Sequence, residues 1–127
     1  MTKSLEDYLE AIYRLIHETG DAHVVDVAKL MNVKMPSVNN AVKELAGLGL
    51  VNYEKYHELK LTPAGEAAAK NVYTCHLTLK NFLLSLGISE ENAEADACAM
   101  EHILSAETIT AFRNATPPPA HPNTTSL

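Results

Sequence analysis

The apolar positions at the start of the chain recur at steps of three and four residues. This period predicts an amphipathic helix over residues 4–18, with an apolar stripe formed by Leu5, Leu9, Ile12 and Ile16. Ser4, followed three residues later by Asp7, resembles a helix-start signal. Asp7 and Glu10 also lie three residues apart, so their carboxylates can share one face of this helix. Taken alone, this pair fits a solvated helix face better than a pair of ligands.

The pattern then changes to two short helices followed by two strands. Helices are predicted over residues 26–31 and 36–48, with Pro36 suited to the first position of the second helix. Residues 50–54 and 59–62 are predicted to be two strands joined by a turn. Two helices joined by a tight turn and followed by a hairpin are typical of a winged helix-turn-helix, which binds duplex DNA.

An apolar inner stripe leaves the polar side chains of the second short helix facing outward. Outward Asn side chains can pair with adenine edges, whereas Ser and Lys side chains can hold phosphates. On this helix alone, a small helical core with an ordinary polar face is an equal alternative. The candidate DNA-binding residues lie before the helix, on it, and in the predicted wing: Lys34, Ser37, Asn39, Asn40, Lys43, Lys55, Tyr56 and His57.

Charge is distributed unevenly along the chain, which bears on the DNA-binding prediction. The formal net charge is −6, a balance that argues mildly against a nucleic acid partner. Residues 29–60 nevertheless carry five lysines against three glutamates. A nucleic-acid surface is therefore expected in this window and nowhere else.

The second half of the chain is predicted to be helical and to end in a tail. Thr62, as a cap, and Pro63, at the first position, begin a long helix that runs to about residue 86. Another helix starts at Ser89, and a short one covers residues 105–113. The Pro-rich segment after these helices cannot pack a core and is predicted to be disordered.

A thiol, a carboxylate and an imidazole are spaced for metal binding near the end of the helix that starts at Ser89. If residues 96–105 are helical, Cys98, Glu101 and His102 lie three and four residues apart on one face. Together they can hold a divalent transition metal, although they are too few to close its coordination shell. The alternative is a buried Cys98 beside two surface polar groups.

The composition argues against a membrane protein and against a secreted protein held together by disulfides. No apolar run reaches the roughly 18 residues that a membrane span needs, and the acidic N-terminus lacks the apolar centre of a signal peptide. Two cysteines, Cys75 and Cys98, give no disulfide framework and fit a reducing cytoplasm. Cys75 lies beside His76, but adjacent helical residues do not face each other, so this pair is weak evidence for a nucleophile.

Several short motifs, found in order along residues 4–113, carry a resemblance to a known family. They are Ser4-Leu5-Glu6-Asp7-Tyr8-Leu9-Glu10-Ala11-Ile12-Tyr13, Pro36-Ser37-Val38, Tyr53-Glu54-Lys55-Tyr56, Leu61-Thr62-Pro63-Ala64-Gly65 and Cys98-Ala99-Met100-Glu101-His102-Ile103-Leu104-Ser105. The chain resembles the diphtheria-toxin-repressor and manganese-transport-regulator family of metal-dependent repressors.

The resemblance implies a mainly α fold. It implies a winged-helix DNA-binding domain at residues 1–72, a helical metal-binding and dimerisation domain at 73–113, and a tail at 114–127. The family's metal ligands map onto Asp7, Glu10, His76, Cys98, Glu101 and His102. Lys80 stands where the family often has an acidic residue, which argues against a second, ancillary metal site.

Cys98 makes the implied ligand set a hybrid of two branches of the family. Manganese-type members carry a carboxylate at this position, and iron-type members carry Cys there but usually Met where this chain has Asp7. A thiolate favours Fe(II), Co(II) and Zn(II) over Mn(II). We therefore predict Fe(II) in preference to Mn(II), with Co(II), Ni(II) or Zn(II) as substitutes.

The predicted function is metal-dependent transcriptional repression by a cytoplasmic homodimer that binds palindromic double-stranded operator DNA. No membrane, small-molecule substrate or enzyme activity is expected. Two alternatives stay open. A thiol-based redox regulator would use Cys98 or Cys75, and a metalloenzyme would need an open coordination position beside an acid or base in a cleft.

Overall fold

The computed structural model describes residues 1–53 and 58–115. The described chain is mainly helical, as predicted, and the chain divides into two compact units, residues 1–73 and 74–127. The helices are α1 (Lys3–Thr19), α2 (Val24–Met31), α3 (Met35–Gly47), α4 (Pro63–Ser85), α5 (Glu90–Met100) and α6 (Ala106–Ala115), and the strands are β1 (Val51–Tyr53) and β2 (Leu59–Leu61).

Helix α1 begins at Lys3, and its cap lies two residues before the predicted signal at Ser4. The side chain of Thr2 accepts a hydrogen bond from the backbone N–H of Leu5 at 3.2 Å, so Thr2 caps the helix. The predicted helix start at Ser4 is therefore wrong, although the helix lies where the apolar period places it. It ends at Gly20, whose φ of 96° is left-handed and carries no steric penalty for glycine.

The core of the first unit is formed by the inner faces of α1, α2 and α3 together with the β1–β2 hairpin. Its fully buried side chains include Leu9, Ile12, Val27, Val38, Val42, Leu45, Val51 and Leu59. Burying each of these side chains stabilises the fold by about 1.5–3 kcal/mol before the entropy of ordering is counted. Val38, Ala41, Val42 and Leu45 of α3 face this core, so most polar positions of the helix are left at the surface.

The hairpin follows α3 directly, which is the order of elements in a winged helix-turn-helix. The strands are antiparallel, with Val51 opposite Leu61 and Tyr53 opposite Leu59. Strand β1 begins one residue after its predicted start and β2 ends one residue before its predicted end, and residues 54–57 lie outside the described part of the chain. Thr62 follows β2, and its hydroxyl accepts a hydrogen bond from the N–H of Gly65 at 2.9 Å, so the predicted cap of α4 is confirmed.

The second unit contains the end of α4, then α5 and α6. Ser89 accepts a hydrogen bond from the N–H of Asn92 at 3.3 Å and caps α5, as predicted. Helix α5 ends at Met100, so the predicted helix over residues 96–105 is wrong beyond that point. Helix α6 continues to Ala115, past its predicted end, and the rest of the predicted tail lies outside the described residues.

The second unit buries few large side chains in its described part. Leu79, Ala93, Ala97 and Ile109 are buried, and the ring of Phe82 stacks on that of Phe112 with centroids 4.6 Å apart. Several large apolar side chains of the same unit are exposed: Leu77, Leu84, Leu86, Ile88 and Ile103. Across residues 1–53 and 58–115, no helix is both long enough and apolar enough to cross a membrane.

Candidate metal centre and DNA-binding surface

Two of the predicted metal ligands lie on α1 in the first unit. Glu10 is only 6% exposed, and burying a carboxylate is unfavourable unless it is paired or binds a cation. Asp7 is half-buried, with Oδ2 at 3.8 Å from Nζ of Lys3. The interpretation of this pair as a solvated helix face is therefore wrong for Glu10.

His76 lies on α4 in the second unit, and its side chain is nearly fully buried. Its Nδ1 is 3.2 Å from Oε2 of Glu101, and its Nε2 contacts Oε2 of Glu94. A neutral imidazole carries one N–H, so it can donate a hydrogen bond to only one of these carboxylates at a time. The other nitrogen then turns a lone pair toward a carboxylate, an arrangement that a cation or a second proton stabilises.

Glu101 lies between two imidazoles. Its side chain is 1% exposed, and its Oε1 is 3.1 Å from Nε2 of His102, whose side chain is 4% exposed. Among the residues that the structure describes, Oε1 of Glu101 is a buried atom that accepts no hydrogen bond of good geometry. Nearly all buried carboxylate oxygens in proteins are satisfied, so this atom fits a centre that binds a cation.

The end of α5 explains how the thiol and the carboxylate share a face. Glu101 is the C-cap of this helix, and its N–H donates to the carbonyl of Ala97 at 3.0 Å. Cys98 and Glu101 therefore keep helical spacing, as predicted. His102 instead lies in the turn after the helix, so its predicted place on one continuous helical face is wrong. The turn nevertheless brings it against Glu101.

The donor set of the second unit suits a transition metal. His76, Glu101 and His102 supply two imidazoles and a carboxylate, and Cys98 adds a half-buried thiol. Nitrogen and sulfur donors bind Fe(II), Co(II) and Zn(II), whereas Mg²⁺ and Ca²⁺ take oxygen ligands. Cys75 is also half-buried, and it precedes His76 on α4.

The polar face of α3 and the residue before it carry the predicted DNA contacts. Four of these side chains are exposed: Lys34, Ser37, Asn40 and Lys43. Asn39 differs, because it is half-buried and its Oδ1 accepts a hydrogen bond from the hydroxyl of Tyr53 at 2.6 Å. Reading adenine would require the same oxygen to accept a second hydrogen bond from the base. The bond to Tyr53 joins α3 to β1, and we therefore expect Asn39 to support the helix instead of reading a base.

Tyr53 is a residue that sequence reasoning missed in this surface. Partial burial raises the pKa of Tyr53, which favours the protonated hydroxyl that donates to Asn39. No period or motif signals the pair, because the contact joins two elements that are separate in the sequence. The predicted contacts Lys55, Tyr56 and His57 fall outside the described residues and stay predictions.

Two family models together match nearly the whole chain. Residues 1–59 match the iron dependent repressor N-terminal DNA binding domain, and residues 62–122 match the iron dependent repressor metal binding and dimerisation domain. The chain belongs to the iron-dependent repressor family. It is a metal-dependent transcriptional regulator, not an enzyme, which confirms the resemblance and the predicted class of function.

Relatives of similar length support the same assignment. An HTH-type transcriptional regulator of Methanocaldococcus jannaschii is 43% identical over 111 residues, which are 86% of this chain and 89% of that protein. The transcriptional regulator MntR of Escherichia coli O6:H1 is 42% identical over 109 residues, which are 86% of this chain and 70% of MntR.

Solved structures confirm the predicted fold class. IdeR of T. acidophilum has a TM-score of 0.76 and 30% identity, and the match covers 87% of this chain and 52% of IdeR. The manganese regulator SloR has a TM-score of 0.78 and 28% identity, with 91% of this chain and 54% of SloR covered. This chain therefore spans about half the length of these two proteins.

Proposed function

We propose that this chain is a homodimeric repressor that binds an inverted-repeat operator when a divalent metal, Fe(II) in preference to Mn(II), is bound. The observation that carries the proposal is the buried cluster of His76, Glu101 and His102, in which both oxygens of a carboxylate face imidazole nitrogens. Because the partner is DNA, we place the action of this regulator in the cytoplasm with its operator.

The proposed metal ligands come from both units of the chain: Asp7, Glu10, His76, Cys98, Glu101 and His102. A bound divalent ion would supply positive charge that these groups share. Asp7 and Glu10 would tie α1, on which the DNA-binding unit is built, to the unit that dimerises. Without that charge, repulsion among the carboxylates favours other arrangements, so metal binding would shift a population toward the DNA-binding form.

The proposed DNA contacts follow from the exposed face of α3. Lys34 and Lys43 would hold phosphates, and Asn40 would read a base edge. Two copies related by a twofold axis would present two α3 helices to half-sites about one DNA turn apart. The exposed apolar residues of the second unit, among them Leu84 and Ile88, support a self-association surface.

The proposed preference for Fe(II) rests on Cys98. A thiol must lose its proton to bind a metal, and a metal with high affinity for sulfur offsets that cost better than Mn(II) does. Mn(II) is the second candidate, because the relatives include proteins named MntR and the manganese regulator SloR. Three carboxylates in the proposed ligand set also suit manganese.

Operator binding tests the metal dependence directly. The dimer would be mixed anaerobically with a pool of random-sequence duplexes in the presence of Fe(II), Mn(II), Zn(II) or a chelator. We expect Fe(II) to retain duplexes that contain an inverted repeat at lower concentrations than Mn(II), and the chelator to release them. Retention that is equal in every metal and in the chelator would contradict a metal-dependent repressor.

Variants at Cys98 test the metal preference. A Co(II) complex of the parent should show a thiolate-to-metal charge-transfer band in the near ultraviolet, because Cys98 is a ligand. Cys98→Ala should abolish this band and weaken the binding of every metal, whereas the matched control Cys75→Ala should keep both. Cys98→Glu should move the preference toward Mn(II). A band that survives in Cys98→Ala would exclude Cys98 from the centre.

A further inference from the structure

Lys80 places a fixed cation among the acidic residues of the second unit. It lies one helical turn after His76 on α4, and its side chain is only 19% exposed. Its Nζ is 3.4 Å from Oε1 of Glu90 and 3.6 Å from Oε1 of Glu94. Both carboxylates belong to the N-terminal half of α5, so the ammonium group joins α4 to α5.

Glu94 connects this ammonium group to the proposed metal centre. Its Oε1 faces Lys80, and its Oε2 contacts Nε2 of His76. That Oε2 atom is buried and, among the described residues, accepts no hydrogen bond of good geometry. One carboxylate therefore lies between a lysine ammonium on one side and a proposed metal ligand on the other.

Without the ammonium group, the same residues would form a second set of ligands. Glu90, Glu94 and Nε2 of His76 offer two carboxylates and an imidazole, which is a donor set that divalent transition metals accept. A protonated lysine has three N–H donors and no lone pair, so it cannot bind a metal. Its charge also repels any divalent ion placed on Glu94.

We propose that Lys80 keeps a metal ion off Glu90, Glu94 and Nε2 of His76, because its ammonium group occupies the position and satisfies the carboxylates that such an ion would need. The inference rests on the proposed function, since the ions that the parent binds are those assigned to the ligand set that contains Cys98. Lys80 is thus a specificity-determining residue of the metal centre. Glu94 remains a partner of His76 instead of a ligand.

Counting bound ions in the full-length dimer tests this role. Parent, Lys80→Glu and Lys80→Gln proteins would be dialysed anaerobically against Co(II) or Mn(II), and the metal bound per chain would be measured. Lys80→Glu replaces the cation by a third carboxylate, and Lys80→Gln removes only the charge. Lys70→Glu, at an exposed lysine of the same helix, is the matched control for the change of charge.

We expect the parent and Lys70→Glu to bind the same number of ions per chain, and Lys80→Glu to bind one more. Lys80→Gln should bind the additional ion only at a higher metal concentration than Lys80→Glu. The additional Co(II) should leave the thiolate charge-transfer band unchanged, because no sulfur is among its ligands. Adding Glu94→Ala to Lys80→Glu should return the count to that of the parent.

The outcomes separate the two proposals. The same number of ions in the parent and in both Lys80 variants, when circular dichroism shows the variants folded, would overturn the role of Lys80 and leave metal-dependent regulation intact. A parent that binds no ion would instead overturn the proposed function itself.

Discussion

Two adjacent asparagines on α3 have different surroundings, although the sequence predicts both as DNA contacts. Asn40 is exposed, whereas the Oδ1 atom of Asn39 is held by the hydroxyl of Tyr53. If Asn40 reads an adenine edge, Asn40→Ala should cost about 1–3 kcal/mol of operator affinity at one base position. Enrichment of duplexes from a random pool, compared between parent and variant, would show which base preference is lost.

The neighbouring residue Asn39 provides the control for the prediction at Asn40. Asn39→Ala should leave the base preference of the operator unchanged and should lower the free energy of unfolding by about 0.5–1.5 kcal/mol, the usual net value of a hydrogen bond. Tyr53→Phe should give a similar loss, and the two changes together should not add, because they remove the same bond. A relaxed base preference in Asn39→Ala would show that this residue reads DNA after all.

At the scale of elements, the start of α4 depends on one close approach of backbone to backbone. Gly65 is buried, and a Cβ atom there would lie 1.9 Å from the carbonyl oxygen of Leu50, at the entry to β1. Gly65→Ala must push the hairpin and α4 apart, so we expect the free energy of unfolding to fall by about 1–3 kcal/mol or more. Chemical denaturation would measure the change.

Gly47 provides the matched comparison. It ends α3, and a Cβ atom there would meet nothing within 4 Å. Gly47→Ala should therefore be neutral or stabilise the fold by up to about 1 kcal/mol, since alanine restricts the unfolded chain. Equal losses in the two variants would show that the contact between Gly65 and Leu50 does not cause the effect.

The elements that could be predicted from the sequence are those with local signals. The apolar period placed α1, Pro36 marked the start of α3 to within one residue, and Thr62 and Ser89 marked the caps of α4 and α5. The end of α5 at Met100 carries no such signal, because no glycine or proline follows it closely. A helical period there therefore predicts a longer helix than the chain forms.

At the scale of the whole molecule, the candidate metal centre could be predicted only in part. Cys98 and Glu101 share one helix, so their spacing was visible in the sequence. His76 was assigned only through the family resemblance. Adjacent residues on a helix do not face each other, so the neighbouring Cys75 gave no spacing signal for a metal ligand at His76. The contacts of Glu94 and Lys80 with this cluster join α4 to α5 and depend on how those helices pack, which no local pattern encodes.

The proposed coupling of metal to DNA binding makes its sharpest prediction at Asp7. Asp7 is half-buried on α1, while the core of the first unit is made by the apolar face of the same helix. Asp7→Ala should therefore keep the thermal stability of the metal-free protein close to that of the parent. If Asp7 is a ligand, the variant should need at least about tenfold more Fe(II) to bind operator DNA, a loss of the size caused by removing even an outer partner of a metal ligand.

Glu18→Ala is the matched control, because Glu18 is an exposed carboxylate on the same helix and loses the same charge. It should leave the Fe(II) requirement unchanged. A general effect of net charge on DNA binding would instead appear in both variants.

Metal binding measured without DNA separates a loss of metal affinity from a loss of DNA affinity in Asp7→Ala. A ligand role predicts weaker Fe(II) binding by Asp7→Ala in the absence of DNA. An unchanged Fe(II) affinity together with unchanged operator binding would show that α1 supplies no ligand through Asp7, and the proposed link between the metal centre and the DNA-binding unit would fail at that residue.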